Sequence, residues 1–156
     1  MKRPAFARRF PAQHSLGIFA VLAAVTACPR PPGSASSPDT FRAAVSGSEW
    51  ELHELRGTAA PVGAGGRRAT IVFDADTARV AGFAGCNRYF SSYTLDGEAL
   101  RFGPVGMTKM ACTDGMGLEQ QLATALEATR RYEVSDRELT LFDDATAVAK
   151  FIRPAR

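Results

Sequence analysis

Residues 82–97 read GFAGCNRYFSSYTLDG, and they contain the clearest structural signals in the chain. The run 89–95 favours a strand. Asp96-Gly97 after it predicts a tight hairpin turn, because glycine supplies the positive φ that such a turn needs. Gly82 and Gly85 permit a bulge or a close backbone approach where a curved sheet bends. This stretch therefore predicts neighbouring antiparallel strands.

The same pattern continues on both sides of this stretch. From Trp50 onward, short apolar segments recur between turn signals, which is typical of a meandering antiparallel sheet. The glycine-rich segment 56–68 is the part that we least expect to be ordered. Strands are predicted at residues 50–55, 69–74, 79–83, 89–95, 99–102, 132–134, 138–142 and 147–152.

One segment, 116–129, has the periodicity of a helix. Asp114 is a candidate N-cap, since its carboxylate could accept a hydrogen bond from the first turn. We expect the helix to pack across the sheet. Its apolar face is predicted to consist of Leu118, Leu122, Ala125, Leu126 and Thr129.

The chain has 156 residues, of which 46% are hydrophobic, so one globular core is expected and a multidomain enzyme is excluded. The formal charge of +3 arises at the start of the chain. Four of the 19 basic residues precede Ala27, and the first acid is Asp39. Without residues 1–27, 15 basic side chains would face 16 acidic ones, a net charge of −1. A near-neutral surface argues against nucleic acid as a partner.

The first 28 residues have the organisation of an export signal. A basic stretch is followed by an apolar run at 16–25, which is too short to span a bilayer. Val25-Thr26-Ala27-Cys28 resembles the bacterial lipoprotein lipobox, which implies that residues 1–27 are removed and that Cys28 receives the lipid. Pro29 after the cysteine favours the outer membrane, with the protein facing the periplasm. The alternative is a plain secretory signal in which Cys28 has no role.

Residues 28–47 are predicted to be the lipidated cysteine and a flexible tether, because they are rich in proline, serine, alanine and glycine. In the alternative interpretation, Phe41 and Val45 begin an ordered segment. The compact domain is expected over 48–153.

Two further cysteines, Cys86 and Cys112, lie 26 positions apart. In an exported chain a disulfide is their simplest role, and a loop of this size would stabilise the fold by roughly 3–4 kcal/mol. A structural zinc site is the first alternative, but it generally needs four ligands, and only His53 could join the two thiols. A redox-active dithiol is the second alternative, although its cysteines are typically separated by only two residues, as in Cys-x-x-Cys.

Sequence signals for catalysis are sparse. A Ser-His-Asp arrangement would have to use His53, and no Gly-x-Ser-x-Gly element accompanies it. The glycines at 63–66 lack the Gly-Lys-Ser/Thr ending of a phosphate loop. We therefore expect no enzyme activity, no cofactor and no metal, and keep a small periplasmic hydrolase or a thiol-redox enzyme as the alternative.

At the cysteines the sequence resembles the META domain family, which includes HslJ-like heat-shock proteins of the bacterial envelope. The resemblance rests on two elements, Gly-Cys-Asn and Thr-x-Met-x-Cys, and extends from about 48 to 153. The residues that carry it besides the cysteines are Gly82, Gly85, Asn87, Arg88, Tyr89, Thr108 and Met110. Asn87 would adopt a left-handed conformation or bond its own turn, and Thr108 and Met110 would be core and turn residues. Tyr89, Phe90 and Tyr93 could line a concave apolar face, although aromatic residues at alternating strand positions are more often ordinary core.

The resemblance implies an α+β fold, a strongly curved antiparallel sheet or partly open barrel with one packed helix. The fold that it implies is also similar in shape to small lipoprotein pilots, some of which hold an acyl chain. The resemblance implies that the protein is a non-enzymatic envelope lipoprotein whose domain is a binding or assembly module. It links this module to stress or antibiotic tolerance and to outer-membrane integrity. The expected partners are the membrane, through the lipid, and an apolar ligand or an envelope protein.

Overall fold

The computed structural model of the protein describes residues 37–155. In this part of the chain there are two α-helices, one 3₁₀ turn at Ala64–Gly66 and ten strands. The helices are α1 (Pro38–Val45) and α2 (Met116–Ala128). The strands are β1 (Glu49–Leu55), β2 (Thr58–Ala59), β3 (Thr70–Asp74), β4 (Arg79–Phe83), β5 (Arg88–Asp96), β6 (Ala99–Phe102), β7 (Gly106–Met107), β8 (Arg131–Val134), β9 (Glu138–Phe142) and β10 (Ala147–Ile152).

Eight antiparallel strands of the described chain form a closed barrel in the order β1-β3-β4-β5-β6-β8-β9-β10, and β10 pairs back with β1. The predicted α+β fold with a strongly curved sheet is therefore confirmed, and the barrel is closed rather than partly open. β2 extends the sheet beside β1, and β7 pairs with the first half of β5. At Asp96-Gly97 the predicted tight turn joins β5 to β6, with Gly97 at φ 57°.

The barrel interior is filled by side chains. Its core is one continuous cluster in which Trp50, Tyr89, Tyr132 and Phe151 are almost fully buried. An eight-stranded barrel is just wide enough for inward side chains to meet, and burial of each large one contributes roughly 1.5–3 kcal/mol.

The helix α1 corrects the predicted tether. Ser37 caps it, since its hydroxyl accepts a hydrogen bond from the Thr40 amide at 3.1 Å, and a proline occupies the first helical position. Phe41 and Val45 are one turn apart on the same face, and both are fully buried. The prediction that residues 38–45 are flexible was thus wrong, and the alternative of an ordered segment holds. Residues 28–36 of the predicted tether, Cys28 included, lie outside the described chain.

α1 covers one mouth of the barrel. The Phe41 ring packs edge-on against Phe73, Tyr93 and Tyr132, at centroid distances of 5.0, 6.1 and 4.5 Å. These three rings belong to three different strands, so Phe41 points into the barrel. Arg153, just after β10, fastens the end of α1 by donating a hydrogen bond to the Ala44 carbonyl.

α2 covers the other mouth. It touches β1 and β6, which are diametrically opposite in the strand order, so it crosses the barrel end. The predicted face is confirmed, since Leu118, Leu122, Ala125, Leu126 and Thr129 are all buried. The predicted N-cap is wrong: Gly115, at φ 91°, occupies that position, and no side chain caps the helix. Neither helix of residues 37–155 has the length and apolar character needed to cross a bilayer.

The segment 56–68 is more ordered than its glycines predicted. It contains β2 and the 3₁₀ turn, and Ala64 donates its amide hydrogen bond to the Gly85 carbonyl at 2.7 Å. A β-carbon on Gly63 would collide with the backbone of Gly85. Gly63 therefore permits a close backbone contact, whereas Gly57, Gly65 and Gly66 adopt the positive φ that turns require.

Candidate functional site

Cys86 and Cys112 form the predicted disulfide, with their Cα atoms 5.9 Å apart. Cys86 is buried in the turn between β4 and β5, whereas Cys112 belongs to the chain between β7 and α2. The bond therefore fastens an irregular segment to the barrel wall. In this state neither thiol is free to bind zinc or to act as a redox dithiol.

The Asn87 side chain makes a second link between the same two segments. Its Oδ1 accepts hydrogen bonds from the Met110 amide at 2.7 Å and the Thr108 hydroxyl at 2.9 Å, and its Nδ2 donates to the Met110 carbonyl at 3.1 Å. The backbone amide of Asn87 donates to Glu119 Oε2 at 2.9 Å, which adds α2 to the network. Asn87 has no positive φ, so the predicted left-handed conformation was wrong, and the side chain bonds a distant segment rather than its own turn.

The other motif residues support this link. The Thr108 hydroxyl also accepts from the Arg88 amide at 3.2 Å, while the Met110 side chain points outward and is 60% exposed. Met110 thus acts through its main chain and is not a core residue. The Tyr89 hydroxyl donates to the Thr70 carbonyl inside the barrel at 3.0 Å, and burial raises the pKa of this phenol.

Gly82 and Gly85 permit the close backbone approaches that the sequence predicted. A β-carbon on Gly82 would collide with the Thr70 carbonyl and lie 2.8 Å from the Tyr89 ring. Gly85 has a φ of 117°, and a β-carbon there would lie 2.8 Å from the Gly115 carbonyl. Both positions exclude side chains for steric reasons.

We expect Gly82→Ala to lower the free energy of unfolding by about 1–3 kcal/mol, because the strands must separate to admit the methyl group. Urea unfolding followed by circular dichroism measures this change. Gly117→Ala is the matched control: Gly117 lies in α2 with open space around it and no positive φ, so alanine should stabilise by about 0.4–1 kcal/mol. Equal effects of the two substitutions would contradict the steric explanation.

Asn87→Ala should lower the free energy of unfolding by about 2 kcal/mol, because it leaves the Met110 amide and carbonyl without partners. Asn87→Asp keeps the shape of the side chain and removes its hydrogen-bond donor. At neutral pH one carboxylate oxygen replaces Nδ2 and faces the Met110 carbonyl, so that two acceptors oppose each other, and Asn87→Asp should destabilise at least as much. A loss below about 0.5 kcal/mol in Asn87→Ala would show that the hydrogen bonds contribute little.

Together the motif residues form a structural junction. Its hydrogen bonds connect the β4–β5 turn, the segment at 108–112 and α2, and it contains no nucleophile with an adjacent base. The sequence did not identify Glu119, since nothing in a one-dimensional pattern pairs it with an amide 32 residues away.

A groove of about 550 Å³ lies elsewhere, on the outer face of β3, β4 and β5. Its wall follows the cross-strand pairs Val72–Ala81 and Ala81–Phe90, and Pro104 adds a further apolar side chain. Phe90 is 61% exposed. Tyr89, Phe90 and Tyr93 do not share one apolar face, because strand residues alternate: the two tyrosines point inward and are core residues, whereas Phe90 points outward.

Asp74 and Arg79 stand at one end of this groove. Hydrogen bonds from Thr77 hold the pKa of the Asp74 carboxyl below its usual value, with smaller contributions from the Asp76 amide and the Arg79 charge. Asp74 is therefore ionised at neutral pH. Since Arg79 carries the opposite charge, the groove has little net charge and presents mainly apolar surface.

No group of three or more His, Cys, Asp and Glu side chains within 37–155 is placed to hold a metal ion. His53 lies on β1, partly exposed, with Nε2 4.0 Å from a Glu51 carboxylate oxygen.

Comparisons with known proteins agree with the fold. A family model described as META domain matches residues 43–156. An NMR structure of a protein from Burkholderia xenovorans is 26% identical, covers 96% of this chain and 100% of its own, and has a TM-score of 0.62. The search of curated proteins found no match.

Two further structures show the same fold. A second NMR structure is 18% identical with a TM-score of 0.56, covering 74% of this chain and 93% of its own. A crystal structure of a DUF4847 family protein from Bacteroides vulgatus is 13% identical with a TM-score of 0.51, covering 74% of this chain and 99% of its own. The family model spans most of the chain and includes both motif elements, so this protein belongs to the META domain family.

Proposed function

We propose that this protein is a non-enzymatic envelope lipoprotein whose META barrel is a binding or assembly module that supports outer-membrane integrity under stress or antibiotic challenge. Val25-Thr26-Ala27-Cys28 supports lipidation at Cys28, and Pro29 supports the outer membrane, facing the periplasm. Only eight residues separate Cys28 from the first described residue, Ser37. Fully extended, a linker of that length reaches at most roughly 30 Å, so the barrel would stay close to the membrane.

One observation carries the assignment of a binding role. The barrel interior is filled and a helix covers each mouth, while an apolar groove of about 550 Å³ lies on the outer face. An acyl chain held inside the barrel, as in some pilot lipoproteins, would require displacement of core side chains such as Tyr89 and Tyr132. The outer groove could accept an apolar ligand without such a change.

The absence of an enzymatic role is part of the same proposal. The two cysteines are bonded to each other, and the polar atoms of Asn87 and Thr108 are engaged by hydrogen bonds within the junction. The groove contains two serines, an acid and an arginine but no histidine. These contacts favour a structural motif and a binding surface over hydrolysis or thiol exchange.

The groove can be tested with a fluorescent acyl probe and native mass spectrometry on the full lipidated chain. We expect saturable binding that weakens about tenfold in Phe90→Ser, because the exposed ring is the largest apolar group in the groove. Thr94→Ala is the control, since Thr94 is an exposed β5 residue that does not line the groove. Detection of neither bound lipid nor saturable probe binding would contradict an apolar ligand in this groove.

A further inference from the structure

A second exposed apolar surface lies at the junction end of the barrel. Four large hydrophobic side chains of residues 37–155 are at least half exposed, and three of them are Val62, Met110 and Met116. We refer to these three as the methionine patch. The fourth, Phe90, belongs to the groove.

The three patch residues come from three segments that meet at Gly85. Val62 precedes Gly63, which packs directly against the Gly85 backbone, and Met116 follows Gly115, which lies against the Gly85 carbonyl. The Met110 main chain is bonded to Asn87, two residues further on. The disulfide and the Asn87 hydrogen bonds therefore fix the backbone that carries Met110, while the contacts at Gly85 fix the segments that carry Val62 and Met116. Methionine side chains adapt readily to the shape of a partner.

The surroundings of the patch are basic. Arg88 and Lys109 are exposed beside Asn87 and Met110, and Arg67 lies over the Phe83 ring at 4.2 Å. The acids nearby are Asp114, which is exposed, and Glu119, which accepts the Asn87 amide hydrogen bond. A partner with negative charge beside apolar side chains would complement this surface.

The patch is also remote from the start of the described chain. The Tyr132 hydroxyl bonds the Ser37 carbonyl at 3.1 Å and lies 3.4 Å from the Gly97 carbonyl, so Ser37 lies beside the β5–β6 turn. Asn87 lies at the opposite end of the nine-residue strand β5. A chain anchored through Cys28 would therefore present the methionine patch at the end of the barrel away from its linker.

We propose that the methionine patch docks an acidic, apolar polypeptide segment of another envelope protein. The orientation away from the linker depends on the proposed lipid anchor, whereas the charge and exposure of the patch do not. The probe is therefore a short peptide in which leucine alternates with glutamate, together with its counterpart in which lysine replaces glutamate. Fluorescence anisotropy with the full lipidated chain measures the affinity of each.

We expect the glutamate peptide to bind at least about tenfold more tightly than the lysine peptide, and to lose about tenfold in affinity with Met110→Ser/Met116→Ser and with Lys109→Glu. Added salt should weaken it. Arg137→Glu is the charge control, since Arg137 is exposed in the turn between β8 and β9. Phe90→Ser, which tests the groove, should leave peptide binding unchanged.

Three outcomes would overturn the proposal. They are equal binding of both peptides, binding that survives the methionine substitutions, and a patch that instead binds phosphatidylglycerol vesicles or a second copy of the chain by size-exclusion chromatography. A failure of lipidation would appear separately, in the mass of the N-terminal peptide. Failure of the docking proposal and failure of the anchor are therefore distinguishable.

Discussion

Replacing Phe41 with alanine is expected to lower the free energy of unfolding by about 3–5 kcal/mol, the range for truncating a buried aromatic side chain. The ring is fully buried and packs against Phe73, Tyr93 and Tyr132. Its loss would leave a cavity at the mouth that α1 covers and would remove the edge-on aromatic contacts. Urea unfolding monitored by tyrosine fluorescence and by circular dichroism measures the change.

Arg42→Ala is the matched control on the same helix. Arg42 is exposed and, among residues 37–155, forms an ion pair only with exposed Asp39 at 3.4 Å, so its loss should change stability by less than about 0.5 kcal/mol. If Phe41→Ala cost less than about 1 kcal/mol, α1 would be a loosely attached segment and the predicted tether would extend to residue 47 after all.

The second large effect is expected from Cys86→Ser/Cys112→Ser, which should lower the free energy of unfolding by roughly 3–4 kcal/mol. The disulfide closes a loop between residues 26 positions apart and restricts the unfolded chain. Reduction of the unsubstituted protein should produce a comparable loss, whereas the double variant should not respond to reductant. Measurement of both by urea unfolding separates the covalent bond from any effect of the serines.

An unchanged stability in the double variant would contradict a structural disulfide. It would show that the Asn87 hydrogen bonds hold the segment 108–112 without covalent help. Combining Asn87→Ala with the double variant would then reveal the coupling directly, because the two links join the same segments and their effects should not be additive.

The strands and α2 could be predicted because their signals are local. The run of residues 89–95 favours a strand, the dipeptide Asp96-Gly97 is typical of a tight hairpin turn, and the apolar face of α2 repeats along a segment of 13 residues. β2 and β7 contain two residues each, too few to show any periodicity. Closure of the barrel depends on pairing of β1 with β10, almost 100 positions apart, which no local pattern encodes.

α1 shows how composition can mislead. Proline, serine and alanine around it are typical of a flexible linker, but Ser37 and Pro38 are also the residues that begin helices. Phe41 and Val45 lie one turn apart. Their burial in the mouth of the barrel is enough to stabilise so short a helix. The local sequence shows these two residues, but the pocket that buries them forms only when the barrel closes.

The junction could be predicted only in part. Spacing and export favoured the disulfide, and the steric role of Gly82 followed from its place in a strand. The bonds of Asn87 to residues 108–110 required the register of β5 and β7, which places Tyr89 opposite Met107. Phe90 was grouped with Tyr89 and Tyr93 although it is out of phase with both along the strand.

The intact mass and free-thiol content of the protein purified from membranes of its native host test the envelope assignment and the disulfide most directly. A lipidated Cys28 as the N-terminal residue, with no free thiol, is the result expected for an anchored barrel with a disulfide between Cys86 and Cys112. An unlipidated chain with both of these thiols free would contradict the envelope assignment and would make metal binding or redox chemistry at the cysteines the leading question.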